Sequence, residues 1–304
     1  MKYKEWLQRW LSALKPTLKK TTYKRYANAA RTHVVPKLGE IELSGLTDAV
    51  LKKFTIDVTA TYAANTSRIA FGVVNRSLQS AKDSGLPINC EVIKKVTKKK
   101  KPRQIVYLSK PKQKRLEDYV AESKIYKLYG IVISLYTGLR IGELLALEWS
   151  DVDFTAGTLT VSKNCSDSYE SGRYKKRIGT PKTISSRREI PLPKQIMPQL
   201  RQLKKQCKSN YVIEGKDGKE MSIRSYQNTF RLVLERLNLP HMGFHSLRHT
   251  FATRALECGM DIKTLSEILG HSSASVTMNY YTHCLPEHKI EMMNRVGAIF
   301  QKKT

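Results

Sequence analysis

The sequence predicts a mainly α-helical protein of two domains, the second of which also holds a small β-sheet or hairpin. Apolar residues recur at helical spacing through roughly the first 90 residues. A lysine run closed by Pro102 then interrupts the pattern, and short stretches of β character follow between further helical segments. With 304 residues, 40% of them hydrophobic, the chain can build two cores. We therefore expect domains at residues 1–93 and 104–304, joined by a basic linker at residues 94–103.

The N-terminal domain is predicted to contain four helices. Trp6, Leu7 and Trp10 form one helical stripe that would face a core. The expected helices cover residues 2–14, a segment from Thr21 or Thr22 to a point before Pro36, a segment from Thr47 or Asp48, and residues 65–82. These elements together predict an all-helical domain.

The C-terminal domain is predicted to combine helices with a few strands. Helical segments are expected near Leu116, at residues 124–136 and, after a break at Thr137 and Gly138, again in LRIGELLALEW. Residues 157–161 have β character, and residues 177–192 indicate two short strands around a turn at Ser185 and Ser186. Helices return at residues 194–206 and 222–237, from His245 to before Gly259, from Asp261 to Gly270, and from Ser273 or Ser275 onward.

The charge balance points to a polyanionic partner. Lysine and arginine number 54 against 26 aspartate and glutamate residues, which leaves a formal net charge of +28. That excess is far larger than solubility requires, and a polyanionic partner such as nucleic acid is the simplest explanation. A basic solvated surface and an anionic membrane surface are the alternatives, although no apolar run reaches the ~18 residues that would span a bilayer.

The N-terminus and the cysteines predict a cytoplasmic protein. The opening residues, MKYKEWLQRWL, lack the long apolar core of a secretion signal. The five cysteines are odd in number and form no CxxC pair. Reduced thiols are therefore expected instead of a disulfide framework or a zinc cluster.

A group of polar residues near the C-terminus forms the most informative pattern. His245 and Arg248 lie three apart on a predicted helix and so share a face. His271 follows a predicted helix end, and Tyr280 and Tyr281 lie on the last short helix. Each of these residues alone has an ordinary interpretation as a packing or surface residue. Their combination within about 40 residues of a strongly basic chain indicates an active site.

Several motifs carry a resemblance to a known family. GFHSLRHTFAT, ILGHSS and VTMNYYTH resemble the C-terminal signature of the tyrosine recombinase (phage integrase) family, TGLRIGELLALEWSDVD resembles its first arginine motif, and TPKTISSRREIPL resembles its β-hairpin lysine motif. The hairpin motif is most like that of mobile-element integrases of Gram-positive bacteria. The resemblance covers about residues 104–290, and the N-terminal domain resembles the family's core-site-binding domain through weaker motifs. The additional N-terminal arm-binding domain of larger integrases is not recognised in this sequence. Natural absence of that domain and truncation of the chain are both open explanations.

The resemblance assigns six site residues by position: Arg140, Lys182, His245, Arg248, His271 and Tyr281. Ser246 departs from the family pattern, in which aspartate commonly follows the first histidine. Tyr280 competes with Tyr281 as the nucleophile, because the interval from the second histidine varies by one among relatives. Tyr281 is preferred because a small residue and a histidine follow it, as they do in the family.

The chemistry of DNA strand cleavage fits these residue types. The arginines would stabilise charge on the non-bridging phosphate oxygens, the histidines would add hydrogen bonds or handle the tyrosine proton, and Lys182 would protonate the leaving 5′ oxygen, as the family implies. A phosphotyrosine bond conserves the energy for rejoining, so no cofactor is expected. No metal is expected either, because cationic side chains would already lie at the phosphate. His245 and His249 have the spacing of the two ligands in an HExxH zinc motif, but the glutamate of that motif is absent. Glu143, three residues after Arg140, is expected to orient that arginine.

Further residues are expected to contact DNA. They lie in the second predicted helix, in the linker and on the predicted hairpin: Thr21, Thr22, Lys24, Lys98, Lys99, Lys100, Lys101, Arg103, Arg187 and Arg188. The lysine run suits a solvated connector and would also lie well along a phosphate backbone. Surface charge without a DNA contact is the alternative interpretation for Arg187 and Arg188.

The resemblance implies a site-specific recombinase that integrates and excises a mobile element through a 3′-phosphotyrosine intermediate. The partners it implies are double-stranded recombination sites, three further copies in a tetramer joined through the C-terminal tail at residues 287–304, and an accessory DNA-bending or excision factor, with no membrane. A chromosome-dimer resolvase, a type IB topoisomerase and an inactive DNA-binding protein stay open as alternatives. The small helical domain and the hairpin motif favour a recombinase over the topoisomerase.

Overall fold

The chain folds into two compact units. The computed structural model describes residues 1–91, 105–170, 173–179, 187–215, 218–281, 293–294 and 296–298. The two units are Met1–Arg103 and Gln104–Thr304, and each has its own apolar core. Within the described ranges, no helix combines the length and the apolar character needed to cross a membrane.

The N-terminal unit is a bundle of helices, as the apolar spacing predicted. Its helices are α1 (Tyr3–Leu14), α2 (Lys20–Ala29), α3 (Val35–Leu38), α4 (Asp48–Thr61) and α5 (Ala64–Asp83). The buried hydroxyl of Tyr3 on α1 lies 2.6 Å from Ser77 Oγ on α5, and Trp6 Nε1 donates to the Ser77 carbonyl at 2.7 Å. These bonds satisfy polar groups at the contact of α1 with α5 and so fix how the two helices pack.

Helix α2 differs from its prediction at its start. It begins at Lys20, so Thr21 and Thr22 lie inside its first turn and do not cap it. It ends at Ala29, before Pro36 as predicted, and a π-helical turn, Ala30–Val34, connects it directly to α3. Pro36 lies in the first turn of α3, a position where a helix needs no N–H from a proline.

The C-terminal unit combines helices with short strands. Its helices are α6 (Lys110–Glu122), α7 (Tyr129–Thr137), α8 (Ile141–Leu144), α9 (Met197–Gln206), α10 (Ile223–Arg236), α11 (His245–Glu257), α12 (Ile262–Leu269) and α13 (Ala274–Tyr281). Its strands are β1 (Val152–Asp153), β2 (Thr158–Val161), β3 (Asn164–Glu170), β4 (Arg173–Gly179) and β5 (Arg188–Pro191). Helices thus predominate over a minor β component, in agreement with the predicted fold class.

The pairing of the strands differs from the prediction. One antiparallel sheet has the order β1-β2-β5, and the other consists of β3 paired with β4. The predicted hairpin across residues 177–192 is therefore wrong, because β4 and β5 belong to different sheets. Alternation of side chains locates a strand, but turn geometry and burial decide its partner. The turn predicted at Ser185 and Ser186 lies outside the described residues.

Two helices of this unit end on glycines in the left-handed conformation. Gly138 follows α7 with φ 66°, and Gly270 follows α12 with φ 63°. A Cβ at Gly138 would lie 2.6 Å from Phe251 Cδ1, and a Cβ at Gly270 would lie 2.9 Å from Arg188 Nη1. Glycine is required at both positions, and the last carbonyl groups of both helices point to side-chain donors.

Candidate active site

Arg140 and Glu143 form an ion pair at the start of α8. Arg140 is the N-cap residue of this helix. Glu143 Oε2 accepts from the backbone N–H of Arg140 at 3.0 Å, and Oε1 accepts from its Nη1 at 2.7 Å. The side chain of Glu143 is 5% exposed and that of Arg140 is 34% exposed. Glu143 therefore holds the arginine at two points and leaves part of its guanidinium accessible.

Arg188 is buried, which corrects its predicted position on DNA. Its side chain is 6% exposed and donates from Nη2 to Glu143 Oε2 at 2.8 Å and from Nη1 to Oε1 at 3.3 Å. The period of a strand explains the difference, since side chains alternate between its faces. Arg188 shares the inward face of β5 with the buried Ile190, while Glu189 points outward. Arg187, directly before the strand, is exposed.

The charge of Glu143 is fixed by its two arginines. Burial by itself would raise the pKa of this carboxyl, but the hydrogen bond and charge of Arg188, together with the charge of Arg140, outweigh burial and lower the pKa to about 2. Glu143 is therefore a carboxylate near neutral pH. Two guanidiniums and one carboxylate leave this group with one net positive charge.

The C-terminus of α12 collects three arginines. Its last carbonyl groups each accept from a different guanidinium: Ile268 from Arg188 Nε at 2.5 Å, Leu269 from Arg248 Nη2 at 2.6 Å, and Gly270 from Arg140 Nη2 at 3.4 Å. Carbonyl groups in the last turn of a helix lack intrahelical partners and carry the negative end of the helix dipole. The helix end thus satisfies its own backbone and gathers positive charge in the same place.

Arg248 is the most buried of the three arginines. It lies on α11 and is 1% exposed. Besides the Leu269 carbonyl, it donates from Nη1 to the Gly138 carbonyl at 2.9 Å. One guanidinium therefore ties the end of α7 to the end of α12.

The two histidines of the site are neutral near pH 7. For His271, burial and then the charges of Arg248 and Arg140 lower the pKa to about 4. For His245, which keeps an exposed edge at the start of α11, burial, then His249 and then the two arginines lower the pKa to about 4 as well. The rings of His245 and His249 meet edge to face at 4.8 Å between centroids. Each site histidine therefore has an unprotonated ring nitrogen at neutral pH, which can accept a hydrogen bond.

A hydrogen bond holds His271 to the following helix. Its Nδ1 lies 2.8 Å from the Oγ1 of Thr277, which is fully buried on α13. Because Nδ1 is engaged, Nε2 is the ring nitrogen left to act on a substrate. Thr277 precedes Tyr281 by four residues, so the two positions share a face of α13. Tyr280 and Tyr281 are the last two residues of this helix.

The structure places four of the six predicted site residues in one cluster. These are Arg140, His245, Arg248 and His271, and the predicted support, Glu143, lies among them. Lys182 lies outside the described residues. The linker cations Lys98 to Lys101 and Arg103 also lie outside them.

Helix α2 carries the predicted DNA contacts of the N-terminal unit. Thr21 and Lys24 are exposed, and Thr22 is half-buried. Two exposed cations that sequence reasoning did not name, Lys20 and Arg31, extend the same side of the helix at helical spacing from Lys24. This side of α2 and of the π-helical turn after it is therefore a basic stripe.

Sequence reasoning missed three features of the site. Thr277 could have been found from its spacing of four residues to Tyr281 on one predicted helix. The inward direction of Arg188 could have been found from Ile190, because alternate residues of a strand share a face. The convergence of arginines on the end of α12 has no signal in the sequence, since carbonyl groups are common to all residues.

Comparison with known proteins identifies the family. The phage integrase family matches residues 106–288, more than half of the chain, and the N-terminal SAM-like domain of phage integrases matches residues 2–56. The chain therefore belongs to the phage integrase family.

Relatives of this chain include enzymes of bacterial mobile elements. A tyrosine recombinase XerC-like protein of Caldanaerobacter subterraneus subsp. tengcongensis is 31% identical over 207 residues, which cover 62% of this chain and 52% of that protein. The transposase from transposon Tn916 of Enterococcus faecalis is 28% identical over 214 residues, which cover 64% of this chain and 52% of that protein. The chain spans about half the length of these two relatives.

A solved structure confirms the fold. The Tn1549 transposon integrase in complex with transposon right end DNA matches with a TM-score of 0.82 and 22% identity. The match covers 98% of this chain and 100% of that chain. The mainly helical fold with small antiparallel sheets, predicted from the sequence, is therefore that of an integrase.

Proposed function

We propose that this protein is a site-specific DNA recombinase that integrates and excises a mobile element through a 3′-phosphotyrosine intermediate. The observation that carries the proposal is the convergence of two arginines and two neutral histidines at the end of α12, directly before the helix with the tyrosine pair. Such a set suits a phosphodiester whose negative charge grows in the transition state. Membership of the phage integrase family and the relationship to a transposon enzyme support the same conclusion.

In this proposal Tyr281 attacks the scissile phosphorus through its phenolic oxygen. A bond forms between that oxygen and the 3′ phosphate, and the bond from phosphorus to the 5′ oxygen breaks. The phenolic proton passes to a neutral imidazole, and His271 is the candidate because Thr277 ties it to the helix of the tyrosine. Lys182 gives a proton to the leaving 5′ oxygen. The same steps in reverse rejoin the strand.

The two proposed phosphate arginines take different roles. Arg140, whose side chain is 34% exposed, is the accessible donor for the non-bridging oxygens. Arg248, 1% exposed and bonded to two carbonyl groups, contributes its charge from the interior and shapes the site. Loss of a donor aimed at developing charge costs roughly 10²- to 10³-fold in rate, so Arg140→Ala is expected to fall in that range.

Covalent trapping on a nicked suicide substrate tests the proposal. The binding site is first selected from a pool of random duplexes, and a nick near the scissile phosphate then prevents rejoining. We expect wild type and Tyr280→Phe to form a covalent adduct and Tyr281→Phe to form none, with the phosphate mapped to Tyr281 by mass spectrometry. Tyr280→Phe is the matched control, because it removes the same hydroxyl one residue away.

The outcomes of this experiment separate the alternatives. An adduct that survives Tyr281→Phe and disappears with Tyr280→Phe would assign the nucleophile to Tyr280. Absence of any adduct with wild type would refute the enzyme and leave a DNA-binding protein. Relaxation of a supercoiled plasmid that lacks the selected site would indicate a type IB topoisomerase.

The proposal extends to assembly on DNA. Four copies would exchange two pairs of strands in the bacterial cytoplasm, together with an accessory DNA-bending or excision factor, and the tail at residues 287–304 would contact a neighbouring copy. Met293 and Val296 support this role, since their side chains are 69% and 44% exposed at helical spacing. Deletion of residues 287–304 is expected to abolish tetramer formation on DNA while single copies still bind. Unchanged tetramer formation by this deletion variant would contradict the contact between the tail and the neighbouring copy.

A further inference from the structure

We propose that Arg188 is a positioning residue that keeps the charge of Arg140 available to the scissile phosphate, and its guanidinium directed at it, by sharing the charge of Glu143. This inference rests on the proposed function, and it assigns a role inside the protein to a residue that was predicted from the sequence to be among the DNA contacts. Arg188 acts through Glu143 and Arg140 and does not itself touch DNA.

The contacts of Arg188 involve all three nitrogens of its guanidinium. Its Nη1 and Nη2 lie on the two carboxylate oxygens of Glu143, while its Nε donates to the Ile268 carbonyl. The side chain is 6% exposed, and the absence of a Cβ at Gly270 makes room for its Nη1. A planar guanidinium with donors on three sides suits this arrangement, and a lysine has only one nitrogen to offer.

Arg188 also sets the charge balance around Glu143. The Glu143 side chain is 5% exposed, so its neighbours and not water must balance its charge. With Arg188 present, the Arg140, Glu143 and Arg188 group has one net positive charge. Without Arg188, Glu143 and Arg140 would form a neutral pair, and the carboxylate would compete with the phosphate for Arg140. Arg188 therefore leaves the charge of Arg140 available to the substrate.

Arg188 also lies where three elements of the C-terminal unit meet. It begins β5, it contacts Glu143 on α8, and it contacts the end of α12, whose next carbonyl groups bind Arg248 and Arg140. Three elements of the C-terminal unit are therefore joined by one side chain. Loss of this joint would let Glu143 move and would carry Arg140 with it.

A charge-restoration experiment distinguishes this role from a purely structural one. Cleavage of the nicked site is measured in single turnover at saturating protein for wild type, R188M, the double variant R188M/E143Q, and R231M. We expect R188M to cleave roughly 10- to 100-fold more slowly, the range typical of residues that orient a ligand-binding group. In the double variant the group again has one net positive charge, and a charge interacts more strongly with the phosphate in low-dielectric surroundings. We therefore expect the double variant to cleave at least about fivefold faster than R188M.

R231M is the matched control because Arg231 forms an exposed ion pair with Glu235 on α10, away from the cluster. It should cleave within about twofold of wild type, as surface changes usually do. Circular dichroism and thermal melting confirm that each variant is folded. Should R188M fail to fold, R188K takes its place: it keeps the charge, so adding Glu143→Gln to R188K is expected to bring no gain in cleavage.

Several results would overturn the inference. The first is that R188M cleaves within twofold of the wild-type rate. The second is that the double variant cleaves no faster than R188M. The third is that Glu143→Gln raises the cleavage rate when it is added to R188K. A neutral methylphosphonate at the scissile position supplies a second readout, because it needs less positive charge and should shrink the deficit of R188M. An equal deficit on both substrates would indicate a structural role only. Wild type that forms no adduct would refute the proposed function, whereas a wild-type adduct with unaffected R188M would refute only the role of Arg188.

Discussion

The hydroxyl of Thr277 is fully buried and lies 2.8 Å from His271 Nδ1. A neutral imidazole carries its proton on one nitrogen, and the partner at Nδ1 decides what Nε2 presents to the substrate. If the hydroxyl accepts from Nδ1–H, Nε2 is free to act as a base. If the hydroxyl donates to Nδ1, Nε2 carries the proton and acts as a donor. Either way, one threonine sets the chemistry of a histidine whose pKa is about 4.

Removal of this hydroxyl should therefore affect cleavage more than stability. Thr277→Val keeps the shape of the side chain and loses its hydrogen bond, which is worth about 1 kcal/mol. We expect a five- to tenfold slower single-turnover cleavage. Thr277→Ser keeps the hydroxyl and is the matched control. Equal rates for the valine and serine variants would show that His271 does not need this partner.

At the scale of elements, the end of α12 organises the site. The carbonyl groups at this helix end all have hydrogen-bond donors. The Ser266 carbonyl accepts from the His271 N–H and the Glu267 carbonyl accepts from the Gly270 N–H. The next three carbonyl groups along the chain accept from the three arginines. The left-handed conformation of Gly270 turns the chain out of the helix at the point where the arginines arrive. Local backbone geometry and the charge of the site thus depend on the same residue.

A pair of glycine substitutions separates these two dependences. Gly157 and Gly270 both have positive φ, but a Cβ at Gly157 would meet nothing within 4 Å, whereas a Cβ at Gly270 would lie 2.9 Å from Arg188 Nη1. Gly157→Ala should lose roughly 1–2 kcal/mol in the free energy of unfolding, from backbone strain alone. Gly270→Ala should lose more in urea unfolding and should also slow cleavage, because Arg188 must move. Equal losses of stability with unaffected cleavage would contradict this coupling.

Local signals in the sequence predicted most of the helices. Thr47 caps α4 by accepting from the Val50 N–H at 3.5 Å, and Asp261 caps α12 by accepting from the Thr264 N–H at 2.9 Å. Such caps are short-range and need no tertiary context. The pairing of β5 with β2 could not be predicted, because it depends on contacts between segments distant in the chain.

The site was predictable to the extent that its residues recur in fixed motifs. The spacing of His245, Arg248 and His271 placed them together, and the structure has them in one cluster. The direction of Arg188 was wrong because two adjacent arginines look alike in a sequence, while strand geometry buries one and exposes the other. The hydrogen bonds at the end of α12 could not be predicted, because their acceptors are backbone carbonyl groups, which every residue type has.

At the scale of the whole molecule, a net charge of +28 dominates. Cations that neutralise phosphates release counterions, so the affinity for DNA falls steeply as salt rises. Each of the two units has its own core, and the N-terminal unit presents the basic stripe of α2. Affinity spread over many weak ionic contacts implies that each lysine in contact with a phosphate contributes a small and similar increment.

The basic stripe can be tested through the salt dependence of binding. Lys24→Ala is expected to weaken binding of the selected duplex and to reduce the slope of log affinity against log salt by about 1, the contribution of one phosphate contact. Lys205→Ala, an exposed lysine on α9 outside the proposed contacts, is the matched control and should leave the slope unchanged. Fluorescence anisotropy between low and physiological salt gives both slopes. The same slope for Lys24→Ala and wild type would remove α2 from the interface.

The three arginines at the end of α12 differ in their access to solvent, and this gives them different chemical reactivity. Arg140 is 34% exposed, whereas Arg188 and Arg248 are 6% and 1% exposed. A dicarbonyl reagent that labels guanidinium groups should therefore modify Arg140 well before the other two. Bound DNA would cover the same group and protect it. The rate of labelling at this one side chain would then report whether the site is occupied, without any cleavage of the DNA.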